Sequence, residues 1–298
     1  MKKKEDKIEL LKFRNPHLLQ PSVYNIRDKR YYYQNIDNVD TIVRPYAFAD
    51  IKIKRPFFYE INKIFREVYN LGIPLGSGST SSVRRCENRE RANSKCAKMI
   101  NIDCCKDLLN EMNILKKLYH PMVIDIYEVI EEPKKFYLIE ELCMGGDVAA
   151  CLAGRPCYNE EETAYIVKGA LLAIAYCHHK RIVHRNIKPG NFVFKKTGGK
   201  MAKLIYFGNA ADLTRHSLPL KEIIGVPCYM APEVLNESYN EKADIWSLGV
   251  MAYELLSKRL PFDANCDQDL MLNIKHGSYA FDGPAWRIIS DEAKDMIK

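Results

Sequence analysis

The sequence predicts an α+β chain in which strands come first and helices follow. Three observations carry this. Leu71-Gly72-Ile73-Pro74-Leu75 runs through Gly76-Ser77-Gly78-Ser79-Thr80-Ser81-Ser82 into Val83, which reads as strand, glycine-rich turn, strand. Residues 95–100 form a short apolar run of strand length, and residues 136–139 form another. Residues 160–180 then take helical spacing, with Ile166, Ala170, Leu171 and Ile174 expected on one face.

Composition narrows the class. The 298 residues suffice for one large domain or two moderate ones, and 47% apolar content supports a sizeable core. No run of about 18 apolar residues is present, so no membrane span is expected. The start, Met1-Lys2-Lys3-Lys4-Glu5-Asp6, lacks an apolar signal core. The cysteines are scattered, without C-x-x-C spacing, which points to free thiols in a reducing cytoplasm. Charge is uneven: of the net +7, residues 1–67 hold 15 Lys and Arg against 9 Asp and Glu. This basic extension is either a solvated tail or a contact for an acidic partner or membrane surface. A nucleic-acid partner is not expected.

Within the extension, Ile8–Phe13 reads as a short amphipathic turn set and Arg30-Tyr31-Tyr32-Tyr33-Gln34 is an aromatic cluster. Pro16, Pro21, Pro45 and Pro56 break any long helix, and residues 59–69 suit a lead-in helix or strand. After the glycine-rich turn comes the strand Lys95-Cys96-Ala97-Lys98-Met99-Ile100. Residues 107–119 then have helical periodicity at Leu108, Met112, Leu115 and Leu118, with Glu111 among them. Residues 136–140 predict a strand that opens into Glu141-Leu142-Cys143-Met144-Gly145-Gly146-Asp147. The stretch Ile182-Val183-His184-Arg185-Asn186-Ile187-Lys188-Pro189-Gly190-Asn191-Phe192 follows the long helix.

That last stretch resembles the catalytic loop of a protein kinase, His-Arg-Asp followed by Lys and Asn at fixed distances. The resemblance runs from about Val68 to Lys298, with landmarks in family order. Gly76 and Gly78 match two glycines of the phosphate loop, with Ser77 between them. Lys98 matches the nucleotide lysine, and Glu111 its helix C partner. Lys203-Leu204-Ile205-Tyr206-Phe207-Gly208 stands at the Asp-Phe-Gly position. Gly225–Glu233 resembles the end of the activation segment, and Asp244–Val250 resembles helix F. The flavour is that of calcium/calmodulin-dependent and calcium-dependent Ser/Thr kinases, through Gly145-Gly146-Asp147, Asn191–Phe194 and residues 284–295.

The resemblance implies a bilobal protein-kinase fold: a small β-rich N-lobe with helix C over about 68–141, and a larger helical C-lobe over 142–298. It also implies a C-lobe cut short at its end, because further helical pieces follow in the family. The implied cofactor is ATP, with Mg²⁺ weakly supported. Val83, Cys96 and Val193 would enclose the adenine. The backbone of Glu141 and Cys143 would meet its edge, and Asp147 would accept from a ribose hydroxyl. Lys98 and Glu111 would serve the phosphates, and Asn191 would be one metal ligand. Glu140 falls at the gatekeeper position, where a carboxylate must be paired or wetted. Arg185 would either bond backbone or meet a phosphate on Thr214 or Ser217.

Three departures qualify the implied activity. The family's catalytic Asp is Asn186, which orients a hydroxyl but takes no proton. The second metal ligand is Tyr206, a phenol that stays neutral near pH 7. Val226 lacks the hydroxyl that would meet the catalytic residue and Lys188. The expectation is therefore a pseudokinase acting as a binding, scaffold or allosteric module. The alternative is a weakly active Ser/Thr kinase with a protein substrate.

Overall fold

In the computed structural model, residues 58–61, 64–77, 81–102 and 105–298 are described. Gly78, most of the 1–67 extension, the Ile8–Phe13 turn set and the residue 30–34 cluster lie outside them. The described chain divides into two compact units. One holds the residues up to Tyr119 together with Ile124–Leu142. The other holds His120–Val123 and Cys143–Lys298.

The first unit is a six-stranded sheet. Its strands are β1 (Phe58–Ile61), β2 (Tyr69–Ser77), β3 (Ser81–Asn88), β4 (Ser94–Asn101), β5 (Ile126–Glu131) and β6 (Lys135–Glu140). Their spatial order is β1-β5-β6-β4-β3-β2. All pairs are antiparallel except β1 on β5, which is parallel. Period-two alternation gives the sheet two apolar faces. Helix α2 (Cys105–Leu115) packs Leu108, Leu109 and Met112 on one of them, against Ile100, Val129, Phe136 and Leu138. On the other face Phe65 joins Tyr69, Ala97, Ile130, Tyr137 and Ile139. Phe65 comes from α1, a single helical turn (Phe65–Val68), and its ring stacks 4.2 Å from Tyr137. In the expected lead-in, Phe58–Ile61 is thus a strand of the sheet and Phe65–Val68 a helical turn packed on it.

Helix α2 ends at Leu115, short of the expected 119. Its hydrogen bonds tighten to Lys117 N–Ile114 O and Leu118 N–Leu115 O. Pro121 then disfavours helical geometry at His120. Leu118 is buried all the same.

The second unit is mainly helical: α3 (Val148–Ala153), α4 (Glu160–His179), α5 (Ala243–Ser257), α6 (Asp267–His276) and α7 (Asp291–Ile297). Two short ladders pair β7 (Ile182–Val183) with β10 (Ala211–Asp212), and β8 (Phe192–Phe194) with β9 (Ala202–Leu204). Helix α4 starts at a capping box, in which Asn159 accepts from Glu162 N and Glu162 accepts from Asn159 N. Ile166, Ala170 and Ile174 are buried as the spacing predicts, but Leu171 is 41% exposed. It lies five residues past Ile166, roughly 140° round the helix, so it leaves that face. Helix α5 is buried on most sides, and the core of the unit gathers around it. No helix among the described residues is long and apolar enough to cross a membrane.

Candidate functional site

Within the first unit, the candidate phosphate-facing residues sit on β2 to β4 and α2. Gly76 and Ser77 close β2, paired with Val83 and Ser82 of β3. Val83 lies opposite Lys98, and Lys98 opposite Leu138, so all three side chains share one face. Lys98 and Glu111 are both buried, and Lys98 Nζ meets Glu111 Oε2 at 2.5 Å. The sheet positions the lysine and the helix brings the carboxylate across to it.

Cys96 and Glu140 form the next cross-strand pair on the same face. Glu140 is buried, and burial pushes its carboxyl up to about 8, with Lys98 opposing that rise and Glu111 adding to it. Glu141, also buried, donates its backbone N–H to Asp125 O at 2.9 Å.

In the second unit, Asp244 organises the loop that holds the other candidates. It stands in the first turn of α5 with 1% exposure. Its carboxylate accepts from His184 N (2.9 Å) and Arg185 N (2.8 Å), and pairs with His178 Nε2 (2.8 Å). These bonds stabilise a backbone in which Arg185 has a φ of 65°. The next residues are Asn186, the buried Ile187, and Lys188.

Asn191 links this loop to the segment carrying Tyr206. Its Nδ2 donates to Asn186 O at 2.6 Å, and its own carbonyl accepts from Ile205 N at 2.9 Å. Asn186, Asn191 and Tyr206 therefore belong to one bonded neighbourhood, although Tyr206 is 20 residues from Asn186 in sequence. Tyr206 adopts a φ of 64°, a left-handed conformation that a bulky side chain disfavours. Phe207 packs edge-on against His184 with ring centroids 4.9 Å apart.

Val193 lies mid-strand in β8, bridged to Asp147. Asp147 itself caps α3, its Oδ1 accepting from Ala150 N at 2.8 Å. The acceptor expected for a ribose hydroxyl thus has one oxygen committed to a helix N-terminus. Cys143 is half-buried. Gly145 admits no side chain, since a Cβ there would meet Lys196 O at 2.4 Å.

Of the two expectations for Arg185, the backbone bond is the one present. Its Nη1 pairs with Glu222 Oε2 at 2.6 Å and its Nε donates to Asn209 O at 2.7 Å. Thr214 instead turns its hydroxyl to Asp212 Oδ1. Nothing near Arg185 in sequence signals Glu222. His178 was equally illegible as a partner of Asp244, because the contact joins two helices far apart in the chain. Val226 lines a small cavity of about 20 Å³ with Arg185, Asn186 and Ile187. Gly225, at φ 124°, passes so close to Arg185 O that a Cβ would lie 2.9 Å from it.

Comparison with known proteins shows the family. The protein kinase domain family matches residues 69–298. Calcium-dependent protein kinase 5 of Plasmodium berghei (strain Anka) is 36% identical over 226 residues, covering 75% of this chain and 40% of that protein. Calcium-dependent protein kinase 3 of Plasmodium yoelii yoelii is 34% identical over 250 residues, 82% of this chain and 46% of its own. Serine/threonine-protein kinase 33 of Bos taurus is 36% identical over 247 residues, 78% and 51% respectively. The chain spans about half the length of these relatives or less.

Proposed function

Because the chain belongs to the protein kinase family, we propose that it is a pseudokinase: a kinase-fold binding, scaffold or allosteric module that holds nucleotide weakly. The observation that carries this reading is Asn186 bonded to Asn191, with Tyr206 following the residue that Asn191 also holds. Phosphoryl transfer in this family rests on positioning, charge stabilisation and a carboxylate that accepts the substrate proton. An amide at 186 still accepts a hydrogen bond from a hydroxyl, but has no basic oxygen to take the proton. Loss of a general base costs on the order of 10²–10⁴ in rate.

Mg²⁺ is used by protein kinase domains in general, but the donor set here does not fit it. The ion favours carboxylate and other hard oxygens in octahedral array. Asn191 offers one amide oxygen, and Tyr206 offers a neutral phenol. Among the described residues no group of three or more His, Cys, Asp or Glu is placed to hold a metal. ATP fits better. The Lys98–Glu111 pair holds an ammonium ready for a phosphate oxygen, and ATP binding is general to the family. A cytoplasmic setting belongs to the same proposal, since Cys86, Cys177 and Cys228 stand as thiols.

A weakly active Ser/Thr kinase acting on protein is the second reading. The closed Lys98–Glu111 pair and the relatives' names favour it. Labelled phosphate transfer by the purified protein separates the two.

A further inference from the structure

The face of the sheet that presents Lys98 also carries the buried carboxyl of Glu140. Glu140 stands diagonally across from Lys98, because its direct partner is Cys96 and that of Lys98 is Leu138. Diagonal neighbours on one face lie within reach of long side chains. Glu140 is 9% exposed, Lys98 8% and Glu111 2%. Two buried carboxyls thus share one buried ammonium, and Glu111 already holds it at 2.5 Å.

We propose that Glu140 is a second, proton-carrying counter-ion of Lys98, and that its ionisation sets how strongly the site holds a nucleotide's phosphates. The inference rests on the nucleotide reading above. With Glu140 protonated, Lys98 and Glu111 balance each other and the ammonium can turn part of its charge to an incoming phosphate. When Glu140 loses its proton to solvent, the cluster carries a net negative charge and repels that phosphate. Burial disfavours the charged carboxylate and the nearby Glu111 adds to that, so the proton is held to higher pH than on a free carboxyl.

The surrounding groups support this assignment. From β4 come Lys98 and the Cys96 thiol; from α2 comes Glu111. In β3, Arg85 lies opposite Cys96, but its Nη2 donates to Ser94 Oγ at 2.7 Å. From β5 the partner of Glu140 is the apolar Ile126. Glu128 pairs with Ile139, so it points to the opposite face, where it accepts from Tyr69 and lies 3.9 Å from Lys95. Lys98 is thus a buried cation on the same face as Glu140, and its charge acts on that carboxyl. The carboxyl is correspondingly shifted to about 8, chiefly by burial.

The test is titration of the chain with ATP and with adenosine, from about pH 7 to about pH 9, for the wild type and Glu140→Gln. The γ-phosphate is fully ionised over most of this range, and the variant carries any titration of the ligand itself. ATP affinity of the wild type should fall about tenfold, as expected for one added charge at short range in a partly wetted site. Adenosine affinity should stay level, and Glu140→Gln should bind ATP with little change across the range. If wild type and variant lose ATP affinity alike, or if adenosine follows ATP, the proposal is overturned. Failure of both ligands to bind at any pH would overturn the nucleotide reading and this use of Glu140 with it. The ligand-free titration of Glu140, read from thermal stability against pH, distinguishes that failure from an error in the carboxyl's assignment.

Discussion

At the scale of single residues, Glu140 has a consequence for stability that needs no ligand. Burial holds its carboxyl above the ordinary carboxyl value of 4.5, at about 8. Between those limits the folded state binds more protons than the unfolded one, so stability falls as pH rises through that window. Below it the group costs nothing, and above it the full penalty applies. Glu140→Gln should flatten this slope, which melting curves from about pH 5 to about pH 9 would read. A second residue prediction concerns Tyr206, held at φ 64° where a large side chain costs roughly 1–2 kcal/mol. Aspartate is tolerated better in that conformation and supplies a hard oxygen ligand. Tyr206→Asp should therefore make nucleotide binding depend on Mg²⁺, measured as Kd with and without the ion. Unchanged Kd values would show that residue 206 does not govern metal use.

At the scale of elements, the strongest local dependence is that of the 184–185 loop on α5. Asp244→Ala would orphan the amides of His184 and Arg185, both bonded to it at under 3 Å. The cost should be roughly 3 kcal/mol by denaturant unfolding. Asn159→Ala, which removes the α4 cap, should cost only about 1 kcal/mol. Equal effects would contradict the ranking. Most of these elements were legible in the sequence. The glycine-rich turn fixed β2 and β3, and the spacing of Ile166, Ala170 and Ile174 fixed α4. What escaped were contacts with no periodic signature: Asp244 with His178, Arg185 with Glu222, and Phe65 stacked on Tyr137. Each joins residues far apart in sequence or belonging to different elements, so only the folded chain reveals it. The candidate site was legible as residue types at fixed spacings. The linkage of Asn186 to Tyr206 through Asn191 required the structure.

At the scale of the whole molecule, the segment before residue 69 is not a simple appendage. The parallel strand β1 and the Phe65 turn are built into the sheet of the first unit. Phe65→Ala should cost about 3–5 kcal/mol, as for other buried aromatic truncations. The rest of the basic extension is expected to be either a solvated tail or a contact for an acidic partner or membrane surface, and in the second case binding would weaken as salt rises. A protein kinase family chain with Asn186 and Tyr206 is expected to bind rather than to transfer phosphate. The most direct measurement is incorporation of labelled phosphate into protein or peptide by the purified chain, with Lys98→Ala as control. Transfer is expected at least about 10³-fold below that of an active relative. Robust incorporation by the wild type, abolished by Lys98→Ala, would contradict it.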